Sequence, residues 1–436
     1  MDGGNCSSFD IENPCYSLAN SMKTKLDRLS RLSSECSIYR VPERLRRAKE
    51  KDYTPQVVSI GPLHHGRESL KAMEEHKMRY LKDFIERSQE TLESYIKVVE
   101  EKVVRLRSCY AETIPFRCEK FVEIIVVDTA FIIEVLLRSH FPGLQDRNDR
   151  IFYKQRMIQD VWSDMQLLEN QVPFFILEDL FELSKVTIPY QPGKRPSIIE
   201  LSYNFFKERM FLEVTKEKLM KIHSDKCEHF VDLLRKLYLP LRERQEIETK
   251  LQTLTMPCMT ELHQAGVRFE VGSSKNLFDI EFVKGILKIP KLTICGETEL
   301  SIRNMVAFEQ CHCDKNYMND YVVIMDRLVN THKDVDLLVK YGIVENRLGD
   351  SNEGAILINK LADGVVVEFE EFYFARLSKD LNTYCRRPWH RWKANLKQNY
   401  FNTPWAIISV IAGFILIILT LIQSVCSIIS VVDKPH

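Results

Sequence analysis

The chain has 436 residues with 61 basic and 61 acidic side chains, so its formal net charge is zero. That length suits one large or two ordinary domains, and the balanced charge excludes a general binder of polyanions. Twelve cysteines are scattered along it, and residues 1–15 are polar, without the apolar core of a secretory signal. The cysteines are therefore expected to be reduced and mostly buried, in an intracellular protein.

In chain order, Leu18, Met22, Leu26, Leu29 and Leu32 recur at threes and fours. They predict an amphipathic helix that docks on the body, within an N-terminal extension over 1–37. Residues 38–66 read as extended, because Pro42, Pro55 and Pro62 each bias their predecessors away from helix. Arg44, Arg46, Arg47, Lys49 and Lys51 are interleaved with Glu43, Glu50 and Asp52, which describes a solvated charged face rather than a lipid or nucleic-acid patch. A long helix follows over 68–109, striped by Leu70, Met73, Met78, Leu81, Phe84 and Ile85.

Residues 119–138 are apolar on nearly all sides, which predicts a central core helix. Helices are expected over 153–170, from Pro173 onward, over 198–211 and over 214–237. Residues 186–197 form a Pro-rich loop, and 240–255 a charged connector. Alternation then switches to a period of two at Val267, Phe269 and Val271, at Phe278, Ile280 and Phe282, and at Leu287 and Ile289. Leu292 and Ile294 continue on the opposite parity past Pro290, a bulge or edge signal. Helices return from residue 300. The body, 38–385, is thus expected to be mainly α with a small antiparallel β meander.

Residues 405–432 carry no charged side chain, and twelve of the eighteen residues over 405–422 are Ile, Leu, Val or Phe. On an insertion scale those twelve contribute on the order of −5 kcal/mol before polar residues subtract. The uncharged run would be about 42 Å long as a helix, against a hydrocarbon layer of roughly 30 Å. A transmembrane helix is expected over 405–427, through Trp405, Ile411, Phe414, Ile418 and Ile422, ending between 423 and 427 with a short tail over 428–436. A buried core helix is the competing reading. The juxtamembrane segment 386–404 holds Arg386, Arg387, Arg391, Lys393 and Lys397, whereas only Lys434 follows the span. The positive-inside rule then places the body in the cytosol, as in a tail-anchored protein. Which membrane receives it is not legible.

Polar residues that could carry chemistry are few. Asp128 and Glu134 interrupt the apolar helix, but six apart they lie on different faces and make no ready acid/base pair. Buried carboxylates of this kind are expected to accept from a buried Arg or cap a neighbouring helix, and Asp164 and Glu169 are read the same way. His64 and His65 sit in a turn between Pro62 and Gly66, where imidazoles could reach a ligand. Cys311-His312-Cys313 has His223, Cys227 and His229 as distant complements, but lacks the paired spacing of a zinc site, so no metal is expected. No nucleophile elbow, phosphate loop, dinucleotide fingerprint, H-E-x-x-H or EF-hand pattern occurs, so no catalytic residue and no cofactor is assigned.

The segments IYRVPERLR, YTPQVVSIGPLHHG, EEHKMRYL, DTAFIIEVLLR, DMQLLENQVPFFIL and MPCMTELHQAGVRF resemble, in this order, the plant domain-of-unknown-function 247 family. LTICGETELSIRNMVAFEQ, YVVIMDRLVNTHKDVDLL, LINKL and WKANLKQNYFNTPW continue the resemblance, which covers residues 38–422. It implies a single-span plant membrane protein without established enzymatic activity. Some grass members are associated with pollen–pistil self-incompatibility, a role the large family need not share. It defines no catalytic residues, so none carry over. The expected function is a protein-interaction or signalling component facing the cytosol, with the bilayer and an unidentified protein as partners and no nucleic acid. The alternative is a membrane-tethered enzyme of unfamiliar type using groups around Asp128 or His64. A deep pocket where carboxylates and imidazoles converge would favour the enzyme; a featureless core with those carboxylates paired to Arg would favour the binding role.

Overall fold

The computed structural model describes residues 14–27, 33–153, 155–186, 195–210, 214–240, 255–388 and 404–432. The first helix, α1, is Pro14–Asp27, and one helical turn, α2 (Glu43–Arg46), interrupts the extended segment that follows. The helix predicted over 68–109 is three helices: α3 (Lys71–Arg87), α4 (Leu92–Glu101) and α5 (Val103–Ser108). It breaks because Ser88 turns extended and Thr91 then caps α4, accepting from the Ser94 amide at 3.4 Å. Next come α6 (Cys118–His140), α7 (Arg150–Tyr153), α8 (Gln155–Asp164), α9 (Phe174–Ser184) and α10 (Ile198–Met210). The helix expected over 153–170 stops at Asp164, whose carboxylate is committed to backbone amides elsewhere. The one expected over 214–237 divides into α11 (Lys216–Ser224) and α12 (Phe230–Tyr238), the latter capped by His229 Nδ1. The loop over 187–194 and the connector over 241–254 lie outside the described residues.

After α13 (Met259–Ala265) come β1 (Arg268–Val271), β2 (Glu281–Val283), β3 (Ile286–Ile289) and β4 (Leu292–Ile294). The small β region stands, but as two sheets rather than one meander. β2 and β3 form the expected antiparallel hairpin, and β1 pairs with β3 in parallel. The connection over 272–280 is long enough to cross β3, because it buries Leu277, Phe278 and Ile280 in the core on the way. Pro290 cannot donate to a ladder, so β3 ends there. β4 then leaves to pair in parallel with β5 (Val344–Asn346). The remaining helices are α14 (Gly296–His312), α15 (Tyr317–Leu328), α16 (His332–Lys340), α17 (Ser351–Leu361) and α18 (Ala375–Arg386), then a 29-residue C-terminal helix, Pro404–Val432.

The predicted core helix is α6: from Phe121 to Arg138 every residue but Glu123 is buried. Packed against it are α3, α4, α9 and α10, and one continuous hydrophobic cluster extends from Ile38 to Leu381. Two helices do not join it. Leu18, Met22 and Leu26 of α1 are 62%, 53% and 61% exposed, so this stripe does not dock on the body as expected. Leu29 and Leu32 lie outside the described residues. The C-terminal helix contains an apolar window, Ile411–Ile428, with mean hydropathy 2.4 and none of it buried. Ile411, Phe414, Ile418 and Ile422 all stand exposed along it, and Trp405 lies in its first turn. A buried core helix is therefore not what this segment forms. The helix continues past the expected end to Val432, although the apolar window closes at Ile428.

Candidate functional site

The extended stretch over 56–61 runs into the interior with no strand paired to it, and Val58, Ser59 and Ile60 are almost fully buried. Buried backbone amides and carbonyls must then find side-chain partners. They find them in the short irregular stretch between α8 and α9, where Asp164, Gln166, Glu169, Asn170 and Gln171 are each at most 1% exposed. The Asp164 carboxylate accepts from the amides of Gln56, Val57 and Val58 at 2.9, 2.7 and 2.8 Å. Asn170 accepts from the Ile60 amide at 2.8 Å and donates to the Val58 carbonyl at 3.0 Å. Gln171 donates to the Met165 and Leu167 carbonyls and accepts from the Phe230 amide at 3.0 Å, tying in α12. These side chains do for one buried strand what a neighbouring strand would otherwise do.

His64, His65 and Asp128 fall into this internal network or next to it, and Glu134 does not. His64 is buried with Nε2 3.2 Å from Glu169 Oε2. Burial pulls its imidazole below the usual range, although Glu169 pushes back. Glu169 also accepts from the Val41 amide at 2.7 Å and pairs with Arg46 and Arg40. Burial pushes its carboxyl up, but His64, Val41 and Arg46 more than offset this and hold it below its ordinary value.

Asp128 is fully buried and receives the Lys77 ammonium at 2.6 Å on Oδ1 and the Gly61 amide at 2.8 Å on Oδ2. Lys77 also donates to the Ser59 carbonyl at 2.9 Å and pairs with Glu74 at 2.7 Å. Burial pushes the Asp128 carboxyl up to about 6 against the pull of Lys77. Burial pulls the Lys77 ammonium down, but Asp128 and Glu74 overcome it and leave it raised.

Glu134 belongs to a different network, as the six-residue spacing from Asp128 requires. It pairs with Arg87 at 3.0 Å and Arg138 at 3.0 Å, and Arg138 reaches on to Asp149 at 2.6 Å and Asp83 at 2.5 Å. The Arg138 guanidinium lies over the Tyr80 ring, 4.0 Å from its centre.

His65 and Asp128 share a concavity. A cleft of about 320 Å³ between the start of α3 and α6 is lined by them with Glu74, Lys71, Lys120 and Glu123. His65 Nδ1 is 3.9 Å from Glu74 Oε2, and burial holds its imidazole low. Both Asp128 oxygens are taken, one by Lys77 and one by Gly61, and Glu74 is shared with Lys77. The groups neutralise one another rather than converge on a vacant point where a substrate atom could react.

Among the described residues no group of three His, Cys, Asp or Glu is placed to hold a metal ion. His312 Nδ1 is 3.1 Å from the Tyr39 hydroxyl, and His229 Nε2 is 3.0 Å from the Ser37 carbonyl, so these imidazoles are already engaged. Burial pushes the Cys311 and Cys313 thiols up to about 11 and about 12, unlike a thiolate ready to ligate.

Inspection of single residues missed Lys77, Arg138, Asn170 and Gln171. Lys77 had a usable signal: Met73, Tyr80, Leu81 and Phe84, at −4, +3, +4 and +7, are the buried face of α3. A lysine on that face has to meet an internal carboxylate.

Comparison with known proteins agrees with the order of these segments. Residues 38–419 match the family described as plant protein of unknown function. The UPF0481 protein At3g47200 of Arabidopsis thaliana is 29% identical over 429 residues, covering 91% of this chain and 87% of that one. The putative UPF0481 protein At3g02645 of the same plant is 21% identical over 514 residues, covering 95% of this chain and 94% of its own length. No solved structure matches the chain. The buried clasp, the Lys77–Asp128 pair and the central helix all fall inside the matched region, and the chain belongs to the plant domain-of-unknown-function 247 family.

Proposed function

We propose that this protein is a membrane-anchored interaction or signalling component, held by its C-terminal helix with the body facing the cytosol. The observation that carries the proposal is the apolar window Ile411–Ile428, none of which is buried. An eighteen-residue window this apolar, left in water, would forfeit the burial free energy that the core helix α6 obtains, whereas lipid tails supply it. The five basic residues between 386 and 397, against one after the helix, support the cytosolic side. The pairing of His64, Asp128 and Glu134 with internal partners supports a role in architecture rather than in a reaction. A body of this kind acts through its surface, and the tether fixes which neighbours that surface meets.

Proximity labelling from the full chain, beside a chain ending at Asn402, tests this. Labelled neighbours are expected to be membrane-associated for the full chain and largely lost on truncation. Identical neighbours from both chains would show that the tether is dispensable and would overturn the reading.

A further inference from the structure

A larger cavity, about 710 Å³, opens where the ends of β1 and β4 meet α10 and α12. That volume lies within the range of small-molecule sites, roughly 300–1,000 Å³. Its inner wall is apolar: Met210, Tyr238, Leu277 and Leu292 are all buried yet border the space. Among the described residues its charged lining is Lys207, Lys275, Lys291 and Glu345.

Glu345 is already engaged, at 2.8 Å by Lys291 and at 2.8 Å by Arg347. Lys207 comes from α10, half-buried, with its Nζ 2.7 Å from the Asn204 amide oxygen and 5.6 Å from the centre of the Tyr203 ring. Those partners are neutral, so they position the ammonium without cancelling its charge. An uncompensated cation at the rim of a low-dielectric hollow focuses a positive potential into it. The Thr293 side chain, nearly buried in the same wall, adds a hydroxyl beside the lysines.

We propose that this cavity binds a small organic anion. A ring-sized apolar body would rest on Met210, Tyr238 and Leu292, with a phosphate or carboxylate held by Lys207. Neither half suffices alone: the apolar wall supplies most of the buried area, and Lys207 chooses the charge. The site is separate from the α3–α6 cleft and does not depend on the membrane reading.

Isothermal titration of the full chain in lipid nanodiscs, with empty discs subtracted, provides the test, using 1-naphthyl phosphate as probe. Saturable binding at one equivalent per chain is expected, with inorganic phosphate and 1-naphthol each at least tenfold weaker. Lys207→Glu should weaken the probe tenfold or more, Lys207→Arg should hold it within about threefold, and Val271→Trp, at an exposed position on the cavity wall, should exclude it. Both positions are at the surface or half-buried, so unchanged melting temperatures keep a loss of binding distinct from a loss of fold. No saturable uptake of 1-naphthyl phosphate, equal affinity in Lys207→Glu, or inorganic phosphate binding as tightly as the naphthyl ester would each overturn the proposal.

Discussion

Asp128→Ala should cost about 3–5 kcal/mol of unfolding free energy, the usual penalty for removing one partner of a buried ion pair. The substitution strands the buried Gly61 amide and leaves the buried Lys77 ammonium with only Glu74 and the Ser59 carbonyl. Asp128→Asn should cost less, because an amide oxygen still accepts from either donor. Joining Asp128→Leu with Lys77→Met should cost clearly less than the sum of the single changes, since each removes the other's partner. It should not restore the wild type, because the Gly61 amide and Ser59 carbonyl would then be unpaired, at about 1–3 kcal/mol each.

The pH dependence follows from the same pair. The folded-state Asp128 carboxyl titrates near 6, above its ordinary 3.8, because burial favours the neutral form. Between those values the folded chain binds more protons than the unfolded one. The stability owed to this group is therefore greatest below about pH 4, falls as pH rises toward 6 and is level above that. Asp128→Asn should remove that part of the slope. Urea unfolding of the full chain in detergent, followed by the fluorescence of the buried Trp162, reads both effects. An Asp128→Ala protein within about 1 kcal/mol of wild type would mean that the pair does not organise the core.

Gly61→Ala should be more damaging still. Gly61 has φ +70, and a Cβ there would lie 2.2 Å from the Gln171 carbonyl oxygen and 3.1 Å from the Tyr110 hydroxyl. The left-handed conformation alone costs a non-glycine roughly 1–2 kcal/mol. The clash is with main chain, which no rotamer relieves. Moving the segment away breaks the amide bonds of Ile60 to Asn170 and of Gly61 to Asp128. A total above about 4 kcal/mol is expected, comparable to much of the stability of an ordinary domain. Gly66→Ala provides the internal control: its φ is +84, but nothing lies within 4 Å of the added carbon. It should cost only the backbone strain. Thermal melts of the two variants beside wild type decide it, and a Gly61→Ala protein as stable as Gly66→Ala would contradict the clasp.

Much of the helical frame is legible in the sequence because its signal is local. The core helix α6 declares itself by apolar residues around its whole circumference, and the C-terminal helix by an uncharged run longer than a bilayer is thick. What is not legible depends on partners distant in sequence. Breaks at Ser88 and before His229 divide helices whose apolar stripes run on across the gap, since stripes report burial and not chain continuity. The pairing of β4 with β5 joins residues fifty apart, and period-two alternation cannot specify a partner or its direction. The carboxylates Asp128 and Glu134 were visible as oddities on an apolar helix, and the expectation of a buried Arg holds for Glu134, with Arg87 and Arg138, whereas Asp128 meets Lys77 instead. Identifying these partners required α3 to be seen against α6. The basic-lined cavity had no signature at all, because its lysines come from α10, the loop after β1 and the start of β4.

Anchoring by the C-terminal helix is tested most directly by alkaline carbonate extraction of membranes from cells making the full chain, with a chain ending at Asn402 in parallel. The full chain should remain in the pellet and enter solution only with detergent, while the truncated chain should be released into the wash. Release of the full chain by carbonate alone would mean that the Ile411–Ile428 stretch is shielded by protein rather than by lipid, and would contradict the membrane-anchored reading.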